Sequence, residues 1–256
     1  MFWVLQKNLF NEMAFTSLQA QLVAQDTPHA IVTLRPFIHE IVPDVDVTGP
    51  VFVCGSTSLG KVARAKGWTP GYFDQNLDYR LLTHHYGEHM LNADARFSKL
   101  KEAHVVDEFV FIRPVGDGKQ FAGEVMTRDD FHTWRDRVVA LDGESTFTTL
   151  TGDDLVVLAH PKAIHAEYRF YVVDGVVITG SMYKRGDRVH YSAQVDDRVR
   201  DFAQARADQW RPNRAFCLDV AETPAALKVI EINSINSSGF YACDMGKFVN
   251  AINALA

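Results

Sequence analysis

Short apolar runs alternate with segments of helical spacing along the first third of the chain. Residues 2–5, 30–34 and 50–54 are runs of Phe, Val, Ile and Leu, and each predicts a strand. Between the first two, residues 12–25 place Leu18 and Leu22 on one helical face. Strands alternating with helices predict a small α/β domain with parallel strands.

Further along, the pattern changes to strands in pairs. Residues 108–113 predict a buried strand ended by Pro114. A loop with Gly116, Gly118 and Lys119 follows, and Phe121 and Val125 mark a return strand. Thr127, with Asp130 three residues on, predicts the start of a helix through Trp134, Val138 and Leu141. Residues 154–159 are a further strand, leading through His160 and Pro161 into a connection. Residues 165–185 predict a hairpin turning at Asp174-Gly175, with Glu167 and Arg169 on one face and Lys184 and Arg185 at its end. A helix is predicted over 201–210. Strands over 216–220 and 228–233, separated by a turn at Thr223-Pro224, form another hairpin. Residues 245–255 predict an amphipathic helix whose stripe of Phe248, Val249, Ile252 and Leu255 is packing.

The polar exceptions inside these strands carry the candidate chemistry. Asp219 is a lone acid in an apolar run. Glu231 and Asn233 are two apart on a strand and project from the same face. A carboxylate beside an amide oxygen suits a hard cation such as Mg²⁺, and the hairpin brings Asp219 toward them. The plainer reading of either strand alone is a polar strand end. The glycine loop with Lys119 can close over polyphosphate and exclude water, or it is a hairpin turn with an exposed lysine. Glu167 and its basic neighbours are equally readable as cross-strand ion pairs.

An Asp strand followed by E-x-N on the next strand resembles the metal-binding end of the ATP-grasp carboxylate–amine ligases. That superfamily includes glutathione synthetase, D-alanine–D-alanine ligase and the ligases that add glutamate to proteins. The segment from Glu167 through Arg169 to the basic pair Lys184-Arg185 is similar to the protein-glutamate ligases and glutathione synthetase. Arg113-Pro114, where the wider superfamily has Lys-Pro, resembles a compact phage-associated branch. The resemblance covers the chain from about Met90 onward; the residues before it match loosely.

The resemblance implies an ATP-grasp fold of the mixed α/β (α+β) class. A small N-terminal α/β domain (1–100) would precede a central subdomain with the glycine loop (101–165) and a C-terminal subdomain with the metal site (166–256). ATP would lie clasped between the last two. It implies metal binding by Asp219, Glu231 and Asn233, for two Mg²⁺ ions with Mn²⁺ as a substitute. Nucleotide contacts fall to Arg113, Lys119, Gly118 and Glu167, and to the strand at Leu158, whose backbone would pair with adenine. Arg169, Arg185 and Lys184 become the catalytic cations. The implied reaction joins a carboxylate to an amine through an acyl phosphate, with ADP and phosphate released. A small molecule, a peptide and a protein terminus all fit as the acceptor. A phosphotransferase of the same fold and a non-catalytic nucleotide-binding module are the alternatives.

Composition narrows this. The 256 residues are 47% hydrophobic and 23% charged, and the net charge of −6 argues against a nucleic-acid binder. Cys54, Cys217 and Cys243 form neither a metal spacing nor a disulfide framework, which fits a cytoplasmic protein. No apolar run approaches membrane-spanning length, so no membrane partner is expected. Two other patterns are set aside. Gly55 to Lys61 follows a strand as a phosphate loop should, but Val62 stands where the Mg²⁺-holding hydroxyl belongs, so it is read as a tight strand-to-helix turn. His84, His85 and His89 lack an acid or cysteine to complete a metal site. Oligomeric state leaves no mark on the sequence.

Overall fold

Three sheets carry the chain. The computed structural model describes residues 1–7, 9, 12–35, 38–116, 121–141 and 150–256. The first sheet is built from β1 (Phe2–Gln6), β2 (His29–Arg35), β3 (Glu40–Val42), β4 (Val51–Cys54) and β5 (Pro70–Gly71), in the order β3-β2-β1-β4-β5. As the alternation with helices predicts, β2, β1, β4 and β5 run parallel; only β3 is antiparallel. The helices here are α1 (Glu12–Ala24) and α2 (Thr57–Ala65); α3 (Tyr79–Tyr86) follows and packs through Tyr79, Leu82 and Tyr86 into the core of the third sheet.

The glycine stretch after β4 is mostly helix, because α2 already begins at Thr57. Ser56 donates from both its backbone N–H and its hydroxyl to Gln6 Oε1, so the turn is tied to β1. A side chain on Gly55 would strike Leu59 and Gln6, which explains the glycine without any ligand.

The second sheet is antiparallel: β6 (Arg96–Lys99), β7 (Phe109–Pro114), β8 (Glu124–Thr127) and β9 (Leu155–Ala159), in the order β6-β9-β7-β8. α4 (Arg128–Ala140) starts where Thr127 accepts the N–H of Asp130, as the sequence predicts. Val110, Ile112, Phe131, Val156 and Leu158 make its core. β6 has no clear alternation and escaped the sequence reading.

The third sheet contains β10 (Ala166–Val173), β11 (Val176–Arg185), β12 (Arg188–Ser192), β13 (Ala215–Glu222) and β14 (Leu227–Asn233), in the order β12-β11-β10-β13-β14. Asp174 (φ 45) and Gly175 (φ 86) make the β10–β11 turn, both left-handed as a two-residue hairpin loop requires. α5 (Asp197–Gln209) begins four residues before the expected start because Asp196 caps it, its carboxylate accepting the Arg198 N–H. It covers one face of the sheet, where Phe170, Leu218, Val199 and Ala203 are buried together.

The opposite face positions the site. Its far end, at Tyr171, Val173 and Cys217, is filled by α6 (Met245–Asn253) and by Trp3 and Phe52 of the first sheet. The α6 stripe of Phe248, Val249, Ile252 and Leu255 is buried in full. Its near end, at Glu167, Arg169, Asp219 and Glu231, is covered by no helix among the described residues, and Glu231 there meets Arg113 of the second sheet.

Candidate functional site

The register of the third sheet assembles three charged groups. Asp219 pairs across β13–β14 with Glu231, and across β13–β10 with Arg169. Facing residues in an antiparallel pair share a side, so the three side chains meet. Arg169 donates to both oxygens of Asp219, Nε to Oδ1 at 2.8 Å and Nη2 to Oδ2 at 2.6 Å. Asn233 donates from Nδ2 to Asp219 Oδ2 at 3.2 Å and to Glu231 Oε1 at 2.9 Å. A register shift between Asp219 and Val220 leaves Ile230 as the extra, unpaired residue of β14.

Arg113 reaches across from that sheet. Its Nη1 lies 2.7 Å from Glu231 Oε2, and its guanidinium sits 4.7 Å from the Tyr79 ring centroid. Two carboxylates are thus balanced by two guanidinium groups. Asp219 is the most buried of the four, at 1% exposure. Burial pushes its carboxyl above the ordinary range, and Arg169 pulls it partly back. Burial also opposes the charge of Arg169, but Asp219 outweighs it and raises that pKa well above its usual value. At Glu231 burial raises, yet Arg113 and Asn233 together win and hold the carboxyl below its ordinary value.

A second pair lies beside the first. Lys184 Nζ is 2.9 Å from Glu167 Oε1, and the Tyr183 hydroxyl donates to Glu167 Oε2 at 2.7 Å. Both basic and phenolic partners reach one carboxylate because β11 bulges there: Met182 faces Tyr168, Lys184 faces Glu167, and Tyr183 is the extra residue.

A cavity of ≈ 700 Å³ lies between the second and third sheets, bounded by Arg113, Gly116, Glu167, Lys184, Glu231 and Asn233, while the Asp219–Arg169 pair is buried against Asn233 rather than on its wall. That volume is the size of a nucleotide-scale ligand site. Its outer wall comes from Phe111, Gly123 and Val125 of the β7–β8 hairpin and from Lys162 and Ile164 of the connection between β9 and β10. Lys162 is held by Asp94 Oδ1 and Oδ2 at 2.8 and 2.9 Å, which fixes the path of that connection.

Three sequence expectations need correction or restriction. Arg185 is not brought to the cavity: it pairs with Ala166, so it stands on the other face of the hairpin from Glu167 and Lys184, and it is exposed. Leu158 cannot offer a free backbone edge, because β9 is flanked by β6 and β7, and its side chain is buried in the core of the second sheet. The open backbone lies in the connection after it, at 162–164, since His160 and His165 on either side are already hydrogen-bonded. Gly118 and Lys119 lie outside the described residues. Among the described residues no three His, Cys, Asp or Glu side chains form a metal-holding group. His85 instead stacks on Trp210 at 4.3 Å.

The donor set at Asp219, Glu231 and Asn233 is all hard oxygen, the chemistry Mg²⁺ prefers. All four carboxylate oxygens already accept from nitrogen; three keep a second lone pair, and when Asn233 turns it presents its amide oxygen and frees the second lone pair of Asp219 Oδ2. The residues fit such an ion.

Tyr79, Tyr183, Tyr241 and Asn236 were missed in the sequence. Asn236 is fully buried and joins the loop after β14 to the first sheet. It donates to the carbonyls of Val53 at 2.6 Å and Gly71 at 3.1 Å, and accepts the Phe73 N–H at 2.8 Å. Only its place three residues past Asn233, in a small-residue run, hinted at it.

Arg113→Lys is expected to raise the KM for the substrate that fills this cavity about tenfold. An ammonium cannot both stack on Tyr79 and keep a planar donor toward Glu231. Steady-state kinetics check this, and an unchanged KM refutes it.

A family model for an ATP-grasp domain, the third family of its clade, matches residues 50–252. No curated protein matches the chain in sequence. Among solved structures, D-cycloserine synthetase DcsG is 13% identical with a TM-score of 0.66, covering 100% of both chains. ATP-grasp ligase PsnB, complexed with a minimal precursor, is 13% identical with a TM-score of 0.59, covering 100% of this chain and 99% of its own. D-alanine–D-alanine ligase from Bacillus anthracis, complexed with ATP, is 14% identical with a TM-score of 0.61, covering 98% and 91%. At these identities the structures share the fold.

Proposed function

Since this chain belongs to the ATP-grasp domain family whose model spans residues 50–252, we propose that it is an ATP-dependent carboxylate–amine ligase, forming an amide and releasing ADP and phosphate. The observation that carries the reading is the meeting of Arg113, Glu231 and Asn233 on the wall of a cavity between two sheets, with the buried Asp219–Arg169 pair directly against Asn233. Residues 101–165 and 166–256 act as the two jaws around that cavity. The solved relatives support the choice: PsnB has been captured with Mg and ADP, and with a precursor peptide and AMPPNP.

Coupling a carboxylate to an amine in water needs a better leaving group than hydroxide. One substrate carboxylate oxygen attacks the γ-phosphorus of ATP, the bond to the β-phosphate oxygen breaks, and ADP leaves. The amine then attacks the acyl carbon, phosphate departs, and the amine proton passes to solvent or phosphate. Asp219, Glu231 and Asn233 would hold two Mg²⁺ ions, or Mn²⁺ in their place, which neutralise charge shifting among the phosphate oxygens. Arg113 and Lys184 contact phosphate oxygens as they exchange Glu231 and Glu167 for the nucleotide. Arg169 remains on Asp219 and orients it. Glu167 faces the ribose, and backbone at 162–164 meets the adenine edge. The β7–β8 hairpin, with Phe111 and Val125, shields the acyl phosphate from water. Lys119 and Gly118 are assigned to the same covering loop. Arg185 has no part in the step.

The test is ADP and phosphate release from ATP and Mg²⁺ against pooled amino acids and short peptides, with mass spectrometry of products. An amide product with stoichiometric ADP is expected. ADP with a phosphorylated product instead makes the protein a phosphotransferase and ends the ligase reading.

A further inference from the structure

β12 is the outer strand of the third sheet, and among the described residues nothing pairs with its free edge. Its register divides it sharply. Lys184 faces Val189 and Arg185 faces Arg188, so Val189 and Tyr191 share the cavity side while Arg188 and His190 share the back with Arg185. Val189 is 72% exposed and Tyr191 52%. Exposed edges are ordinarily blunted by lysine, proline or an inward charge, and the cavity side of β12 has none of these.

That bare edge is continuous with the site. The Tyr191 ring lies 5.4 Å from Tyr241, which stacks on Tyr183 at 4.8 Å. The Arg169 guanidinium stands 5.1 Å from the Tyr241 centroid. An aromatic row therefore runs from the open edge to the Arg169–Asp219 pair. Tyr241 has φ 51, a left-handed conformation unfavourable for an aromatic residue, and such strain recurs at ligand clamps.

We propose that the β12 edge docks the acceptor as an extended peptide that adds a strand to the third sheet, with apolar residues against Val189 and Tyr191 and acidic residues against Arg188 and Arg185. Backbone pairing supplies affinity in this mode, and the alternating side chains supply selection. The alternation follows from the two-residue period of a strand, and the acidic half from the basic back of the edge. A second copy of this chain is the poorer occupant: antiparallel pairing of β12 with itself gathers Arg185 and Arg188 of both copies along one short edge, where like charges repel. The proposal rests on the ligase reading for calling the peptide an acceptor; the binding itself does not need turnover.

The experiment measures fluorescence anisotropy of two labelled octapeptides on the full chain without nucleotide. One alternates valine and glutamate, the other valine and lysine. The glutamate peptide is expected to bind about tenfold tighter or more, and Arg188→Glu to reverse the preference. Val189→Glu is expected to weaken the glutamate peptide about tenfold, and Arg188→Glu, on the back of the edge, to leave ATP binding unchanged. The reversed preference of Arg188→Glu is a gain that only a folded protein shows. Equal binding of the two peptides, binding of neither, indifference to both substitutions, or a dimer abolished by Val189→Glu overturns the proposal. Variant-sensitive binding without ADP formation on any carboxylate sinks the ligase reading alone. Amide formation that ignores both substitutions sinks the docking edge alone.

Discussion

Asp219→Asn is expected to lower ADP formation by about 10³-fold and to reduce the unfolding free energy by about 3 kcal/mol. The two effects have one origin. Asp219 is 1% exposed and takes both donors of an arginine whose own side chain is 10% exposed. Removing its charge leaves that guanidinium buried without a counter-ion, which is where broken internal ion pairs do most harm. Glu231→Gln separates the contributions. Glu231 keeps 26% side-chain exposure, so its partner Arg113 can turn toward water, and stability should fall by about 1 kcal/mol or less. Its loss of turnover should nonetheless match that of Asp219→Asn within about tenfold, because both carboxylates belong to the same oxygen set. Urea unfolding and ADP release measure the two quantities. Full activity in either variant would remove these acids from the chemistry.

The second large effect is on folding. Asn236→Ala is expected to destabilise the chain by about 3–4 kcal/mol, since it strands the carbonyls of Val53 and Gly71 and the N–H of Phe73 in a dry interface. Asn236→Asp should be as damaging, because a carboxylate cannot donate to those carbonyls. A shift in the urea midpoint with an unchanged slope is the expected signature; a midpoint within error of the parent would show that water replaces the amide.

Much of this architecture was legible because strand grammar is local. The Asp174-Gly175 turn sets the β10–β11 hairpin, and a short turn after β13 pairs it with β14, although only the shift between Asp219 and Val220 sets Glu231 rather than Ile230 opposite Asp219. What escaped were features that depend on register faults or distant partners. Tyr183 faces Glu167 only because β11 bulges, and no alternation rule reveals an inserted residue. The same fault line explains Arg185: beside a bulge, the choice of which basic residue of the pair points inward is decided by the partner strand. Arg113 meets Glu231 across 118 residues of sequence, between sheets whose relation no periodicity encodes. Leu158 was misplaced by one strand end, since an apolar run does not say whether its last residues pair or turn loose. Asn236 reads as loop polarity, yet it is a fully buried cross-link.

That cross-link bears on what could be expressed as a working piece. The segment recognisable by comparison begins at residue 50, inside the first sheet. A fragment cut there would retain β4 but lose β1, its central neighbour, together with Gln6, which holds Ser56, and Trp3 and Leu5 of the core shared with α6. Asn236 would then dock onto a strand stripped of one side. The stretch that marks the family and the stretch that can hold itself together thus differ in length, and a minimal autonomous version of this protein must start at its first strand.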